Sequence, residues 1–201
     1  MLEAVKSGGM LMIPILFCGI AALFIILERL CYFLIVRRRD RRLFTALKPA
    51  LAAGDDALCA ELCAEAGTPL ARALETAFTY SHSPESCRRA AVDVAISSAA
   101  AAFGRFLPAL ATISHAATLL GLLGTVTGNI RAFQIFSSGA AGGPASFAGA
   151  VAEALVTTAA GLSDSIQSLI FGNAFAAAAD RRISQLEAAV SDVLIQRAAL
   201  D

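Results

Sequence analysis

Two carboxylates and two hydroxyls share an otherwise apolar stretch of the sequence. Glu153 and Asp164 lie in the run from 147 to 179, with Thr157 and Thr158 between them. On a helix, positions eleven apart differ by about 20° in direction and about 16 Å along the axis, so the two acids point the same way. An acid in such a span must face protein or water rather than lipid, and it is by default a functional hypothesis. We therefore expect a functional or water-facing position for both acids.

The segment LLGLLGTVTG, residues 119–128, places three glycines and two threonines inside a second apolar run. Glycine costs a helix about 1 kcal/mol relative to alanine, so its use here needs a reason. Steps of four and three gather the small residues on one stripe, with Gly124 beside it: Ser114, Thr118, Gly121, Thr125, Gly128 and Ala132. The third run has a similar stripe: Ala154, Thr158, Gly161, Ser165, Ser168 and Gly172. Such stripes predict either close helix packing or a narrow, weakly polar passage.

Hydrolytic chemistry is a weaker interpretation of the same residues. Ser114 with His115, or Ser165 with Asp164, could supply a nucleophile and a base. Adjacent residues on a helix diverge by about 100°, so Ser114 and His115 do not readily form a dyad, and no enzyme is expected. Cys59 and Cys63 share a helical face without histidine at ligand spacing, which predicts buried thiols; no cofactor or metal is expected.

The elements that position these residues are predicted from hydropathy. The chain has 201 residues, of which 57% are hydrophobic and only 16% charged, and the mean hydropathy is +0.69. Apolar runs long enough to cross a membrane occur at 10–36, 106–136 and 147–179. Between them lie a helical domain at 37–105 and a turn at 137–146, with termini at 1–9 and 180–201. These features predict an all-α polytopic membrane protein with three transmembrane helices, and zero net charge gives no indication of nucleic-acid binding.

Arginine and lysine placement predicts the orientation. The block RRRDRR at 37–42 follows the first span, and most other arginines lie on the same side. The positive-inside rule then puts 37–105 and the C-terminal helix at 180–201 in the cytoplasm. The N-terminus and the turn at 137–146 are expected in the periplasm, in a bacterial inner membrane.

Three motifs resemble the MotA/TolQ/ExbB proton-channel family, most closely its ExbB/TolQ branch. They are ILERL at 26–30, LATISHAATLLGLLGTVTGNIRAF at 110–133 and AEALVTTAAGLSDSIQSLIFGNAF at 152–175. The resemblance implies a homo-pentamer around two single-span partners of the ExbD/TolR type, with a TonB/TolA-like energy transducer as a further partner. Proton flow would be coupled to movement of one ring against the other.

The resemblance also implies roles for individual residues. Thr125 and Thr158 match the family's pore-facing threonines, and Glu153 matches the glutamate that starts the third-span motif. With Thr157 and Asp164 they form the predicted proton pathway. Helix packing is assigned to the glycines of the two spans, Gly121, Gly124, Gly128 and Gly161.

The sequence departs from the family pattern at several polar positions. Asp164 stands where the family has a small apolar residue, Gln167 and Thr118 stand where it has prolines, and Arg131 is polar for its depth. An alternative is therefore a non-conducting membrane scaffold that uses the small-residue stripes only for assembly. The scaffold predicts that Thr125 and Thr158 tolerate alanine, whereas the channel predicts loss of function with assembly intact.

Overall fold

The computed structural model describes residues 9–80, 83–138 and 143–198, and every regular element in them is helical. The predicted N-terminal segment 1–9, turn 137–146 and C-terminal helix 180–201 lie partly outside the described residues. The six helices are α1 Met12–Ala53, α2 Asp56–Ala66, α3 Pro69–Thr79, α4 Glu85–Gly104, α5 Leu107–Ser137 and α6 Gly143–Ala198. Within the described chain, three helical stretches are long and apolar enough to cross a membrane. The all-α polytopic prediction is confirmed.

The first and last helices continue past the predicted ends of their spans. α1 runs through RRRDRR and ends only at Ala53, where Gly54 adopts a positive φ of 70°. α6 likewise joins the third span to the predicted C-terminal helix in one helix, Gly143–Ala198. Arginine is a good helix former. A basic block can therefore mark the point where a helix leaves the membrane without ending the helix.

Short helices follow α1, and their boundaries have local causes. Asp55 caps α2 by accepting a hydrogen bond from the Leu58 N–H at 3.0 Å. Gly67, with φ of 60°, ends that helix, and Thr68 caps α3 through the Ala71 N–H at 3.1 Å. A capping side chain before the first turn and a left-handed glycine after the last are the usual helix boundary signals.

The α4–α5 boundary lies where the second span was predicted to begin. Phe106 has a positive φ of 66°, uncommon for a residue with a side chain, and the first turn of α5 contains Pro108. Proline suits a helix start because the first N–H groups have no partner within the helix.

The chain divides into two compact units. The first comprises 9–28 and 106–174 of the described chain, and the second comprises 29–105 and 175–198. The core of the second is apolar and aromatic; Phe33 stacks with Phe103 and with Phe175 at centroid distances of 6.1 and 5.9 Å. In the same unit the buried Arg29 donates to the Ala102 carbonyl at 3.2 Å. The first unit instead has small residues at its helix contacts.

Candidate functional site

The glycines of the predicted packing stripes lie where α5 and α6 touch. A β-carbon on Gly161 would lie 2.5 Å from the Ala117 carbonyl oxygen and 2.9 Å from the Gly121 Cα. A β-carbon on Gly124 would lie 2.5 Å from the Thr157 methyl group, and one on Gly128 would overlap the side chain of Ala154. Only glycine fits these positions without a shift of the neighbouring atoms. The helices therefore approach at backbone distance, as small-residue contacts between membrane helices allow.

Each of the three threonines predicted for the pathway donates its hydroxyl proton to a backbone carbonyl. Thr158 reaches across to the other helix, where its Oγ1 lies 2.6 Å from the Gly121 oxygen. Thr125 bonds within its own helix to Leu122 O at 2.7 Å. Thr157 is buried and bonds to Glu153 O at 2.9 Å. Thr158 thus forms a hydrogen bond between α5 and α6, whereas the hydrogen bond of Thr125 stays within α5.

Three further hydroxyls form a cluster between the same helices. Ser114 Oγ donates to the Ser165 carbonyl at 3.0 Å and lies 3.1 Å from Ser165 Oγ. Thr118 Oγ1 donates to Ser165 Oγ at 2.7 Å. In the described part of the chain, no hydrogen bond joins these hydroxyls to an imidazole or a carboxylate. This cluster is suited to packing polar groups between helices.

The two acids of α6 lie beside glycines of the N-terminal part of the chain. The carboxylate oxygens of Asp164 are 2.8 and 2.9 Å from the position of a β-carbon on Gly19 of α1. Glu153 lies beside Gly9 and forms a 3.2 Å ion pair with Arg131 of α5. The structure thus separates Asp164, which faces α1, from Thr158, which faces α5.

Sequence reasoning did not find the Arg131–Glu153 pair or the Ser114–Ser165 contact. Arg131 and Glu153 are 22 residues apart in the sequence, and the two serines are 51 residues apart. Neither contact is therefore made within one helix, where the spacing of residues could have predicted it. The only signal was the unusual polarity of each residue for its depth.

In the second unit, a buried acid and one buried thiol have shifted pKa values. Burial raises the pKa of the Asp40 carboxyl, and the Thr68 hydroxyl and the Arg182 guanidinium oppose only part of that rise. Arg182 lies 3.8 Å from Asp40, whose other oxygen has no hydrogen-bond partner among the residues that the structure describes. Burial, with Cys59 and Glu75 nearby, raises the pKa of the Cys63 thiol to about 12. A thiol with such a pKa is inert at neutral pH.

Comparison with known proteins gives one family match and two similar proteins. The sequence model of the MotA/TolQ/ExbB proton channel family matches residues 65–188. A protein of Synechocystis sp. named "Putative biopolymer transport protein ExbB-like 3" is 30% identical over 171 residues, which cover 84% of this chain and 81% of that protein. Another from the same organism, "Putative biopolymer transport protein ExbB-like 1", is 33% identical over 176 residues, covering 85% of this chain and 68% of that protein. The part of the chain that the family model matches contains all of α5 and most of α6.

Proposed function

The chain belongs to the MotA/TolQ/ExbB proton channel family, and we propose that it is the multi-pass subunit of an inner-membrane proton channel. The proposed channel couples the proton gradient to mechanical work on an envelope transport or integrity system. The subunit acts as a homo-pentamer around ExbD/TolR-like single-span partners, with a TonB/TolA-like energy transducer as the driven component. It is not an enzyme, its N-terminus is periplasmic, and its C-terminus is cytoplasmic.

The observation that carries this proposal is the threonine-bearing contact between α5 and α6. Thr158 and Gly121 hold the two helices at backbone distance, and Thr125 lies one helical turn further along α5 from Gly121. Hydroxyls of this kind bind water or a carboxyl group without carrying a charge themselves. A row of them is suited to passing protons to a titrating group on a partner helix.

The energy source in this proposal is the transmembrane proton gradient. Moving one charge through 100 mV supplies about 2.3 kcal/mol, so a few protons supply enough free energy for a conformational step. The Arg131–Glu153 pair gives this chain a neutralised acid at the start of the third-span motif. The structure therefore favours the threonines over Glu153 as the groups that meet the proton.

Thr125 gives the cleanest test, because removing its hydroxyl leaves the interhelical hydrogen bond of Thr158 intact. The complete complex with its single-span partner is reconstituted in liposomes, and proton flux is recorded under an imposed potential. Thr125→Val is expected to lower the flux by up to about tenfold, the cost of one hydrogen bond that the Thr125 oxygen accepts from water or from a neutral carboxylic acid. Thr127→Val is the matched control. Thr127 lies two residues after Thr125 and also donates to a carbonyl of its own helix, Leu123 O, at 2.9 Å, but its side chain is exposed.

The scaffold alternative predicts a different outcome from the same samples. If assembly alone is the function, both valine variants assemble with the partner and neither changes the flux relative to the unaltered complex. Native mass of the complex is measured in parallel, so that loss of flux through failed assembly is recognised. A pentamer that takes up two partner copies supports the proposed stoichiometry, and a monomer or dimer indifferent to the partner refutes it.

A further inference from the structure

A cleft of about 960 Å³ opens between α1, α3 and α4, entirely within the second unit. Its wall contains three arginines, Arg39, Arg72 and Arg105, together with several hydroxyl groups. Among the described residues that line it, none is an aspartate or a glutamate. A cleft that gathers guanidinium groups without a lining carboxylate is electrostatically suited to an anion.

Two of these arginines are available to a ligand. Arg39 and Arg72 are exposed, and in the described part of the chain no ion pair joins either of them to a carboxylate. Guanidinium groups bind phosphate through paired hydrogen bonds, with a geometry that an ammonium group does not offer.

The amino end of α3 adds to the positive potential of the cleft. Gly67, Thr68 and Pro69, which precede and begin this eleven-residue helix, all line the cleft. The dipole of a helix favours a negative charge at its amino end. Here the dipole is the main contribution, because Pro69 has no N–H and the Ala71 N–H donates to the Thr68 hydroxyl. The cations and the helix end therefore act on the same space.

One part of the cleft wall is apolar and largely exposed. Val94 of α4 is 71% exposed and Ile35 of α1 is 52% exposed, with Tyr32 and Val36 beside them. Tyr32, Ile35 and Val36 belong to the last turns of the predicted first span, where the chain leaves the hydrocarbon core. The cleft thus combines an anion site with a hydrocarbon surface at the depth of the lipid headgroups.

We propose that this cleft binds an anionic phospholipid, with its phosphate between Arg39 and Arg72 and an acyl chain against Ile35 and Val94. A small phosphate ester would use the arginines and leave the apolar wall bare, so the combination favours a lipid. That the lipid comes from the cytoplasmic leaflet rests on the orientation given under the proposed function. The binding itself requires neither proton conduction nor a partner.

A second basic groove provides the control for general attraction to anionic lipid. It is lined by Arg37, Arg41 and Lys48 of α1 and by Arg181 and Arg182 of α6, and it also contains Asp40. It carries more positive charge than the cleft, but Phe44 is its only large apolar side chain among the described lining residues. If positive charge alone determined lipid binding, this groove would be the stronger site.

The test is native mass spectrometry of the full-length protein in detergent, titrated with phosphatidylglycerol or phosphatidylcholine of the same chain length. We expect phosphatidylglycerol to bind with higher affinity. Arg39→Gln/Arg72→Gln should weaken that binding about tenfold to a hundredfold, because two charge-assisted hydrogen-bonding groups are lost. Arg37→Gln/Arg41→Gln removes the same charge outside the cleft and should change the affinity by less than about twofold.

Two further measurements separate a lipid from other phosphate compounds. Val94→Gln, an exposed substitution that should leave the fold intact, is expected to weaken phosphatidylglycerol binding about threefold to tenfold through lost apolar contact. Glycerol 3-phosphate is expected not to displace the lipid at equal concentration. Equal losses in the two arginine pairs, equal binding of both lipids, or displacement by glycerol 3-phosphate would each overturn the proposal. The lipid assay does not depend on proton flux. A negative lipid result therefore leaves the channel proposal standing, and a negative flux result leaves the lipid proposal standing.

Discussion

Gly161 lies where the backbones of α5 and α6 approach closely, and Gly161→Ala is expected to force the two helices apart. The added β-carbon would lie 2.5 Å from the Ala117 carbonyl oxygen, whereas ordinary contact begins at 3.4 Å, so the neighbour must retreat by about 0.9 Å. The obstructing atoms belong to the backbone of α5, including Cα and N of Gly121, so no side-chain rotation relieves the overlap.

The magnitude follows from three contributions. Overpacking costs about 1–3 kcal/mol, and stretching the 2.6 Å hydrogen bond from Thr158 to Gly121 O costs about 1 kcal/mol more. Replacing glycine by alanine in a helix returns about 1 kcal/mol. We expect a net destabilisation of about 1–3 kcal/mol for Gly161→Ala.

Gly172→Ala provides the matched control on the same helix. Its β-carbon would meet only the Leu110 side chain at 3.6 Å, an ordinary contact, so the variant should be neutral or gain up to about 1 kcal/mol. Thermal unfolding of the purified protein is followed by circular dichroism, with about 2–4 °C expected per kcal/mol in a chain of this size. Equal midpoints for the two variants, or a higher midpoint for Gly161→Ala, would refute the close approach described here.

The other predictions concern charges and thiols. For the 3.2 Å pair of Arg131 and Glu153, whose side chains are 65% and 32% exposed, a double-mutant cycle with Arg131→Gln and Glu153→Gln should give a stability coupling of about 0.2–1 kcal/mol; a zero coupling contradicts the pair. The raised pKa of Asp40 means that the folded protein binds the carboxyl proton more tightly than the unfolded chain does. Protonation of Asp40 therefore stabilises the fold at acidic pH, and this stabilisation is lost as the pH rises through the raised pKa. Asp40→Asn should therefore gain stability relative to the unaltered protein as the pH rises above about 4, the ordinary range of an aspartate. Unfolding midpoints measured across acidic and neutral pH test this, and parallel pH profiles would contradict it. The exposed Cys87 should resist a membrane-impermeant thiol reagent in spheroplasts and react in inverted vesicles, whereas the opposite pattern reverses the proposed topology.

Much of the fold could be predicted from the sequence because hydropathy and helix boundaries are local properties. The apolar runs identified the three spans before any tertiary contact was considered, and the left-handed glycines that follow two of the helices, Gly54 and Gly67, are local features of the same kind. The continuation of α1 and α6 through their basic blocks was not predicted, because arginines signal the membrane surface and also favour a helix.

The candidate site was less predictable, because its contacts join residues far apart in the chain. Periodicity placed Asp164 on the same face of α6 as Glu153 and placed Thr158 on the small-residue stripe, but a 3.6-residue repeat does not say which neighbour each side of the helix meets. The structure pairs Thr158 with Gly121 and places Asp164 against Gly19. Only the relative arrangement of three helices distinguishes these two environments.

The orientation of two hydroxyl protons has a consequence for any acid that approaches them. Thr125 and Thr158 each commit their single proton to a carbonyl, at 2.7 and 2.6 Å, and so present only lone pairs to a newcomer. A carboxylate anion has no proton to give and is repelled by those lone pairs, whereas a neutral carboxylic acid donates to them. The threonines thus discriminate between the two protonation states, and an acid held beside them retains its proton to a higher pH than it would in water.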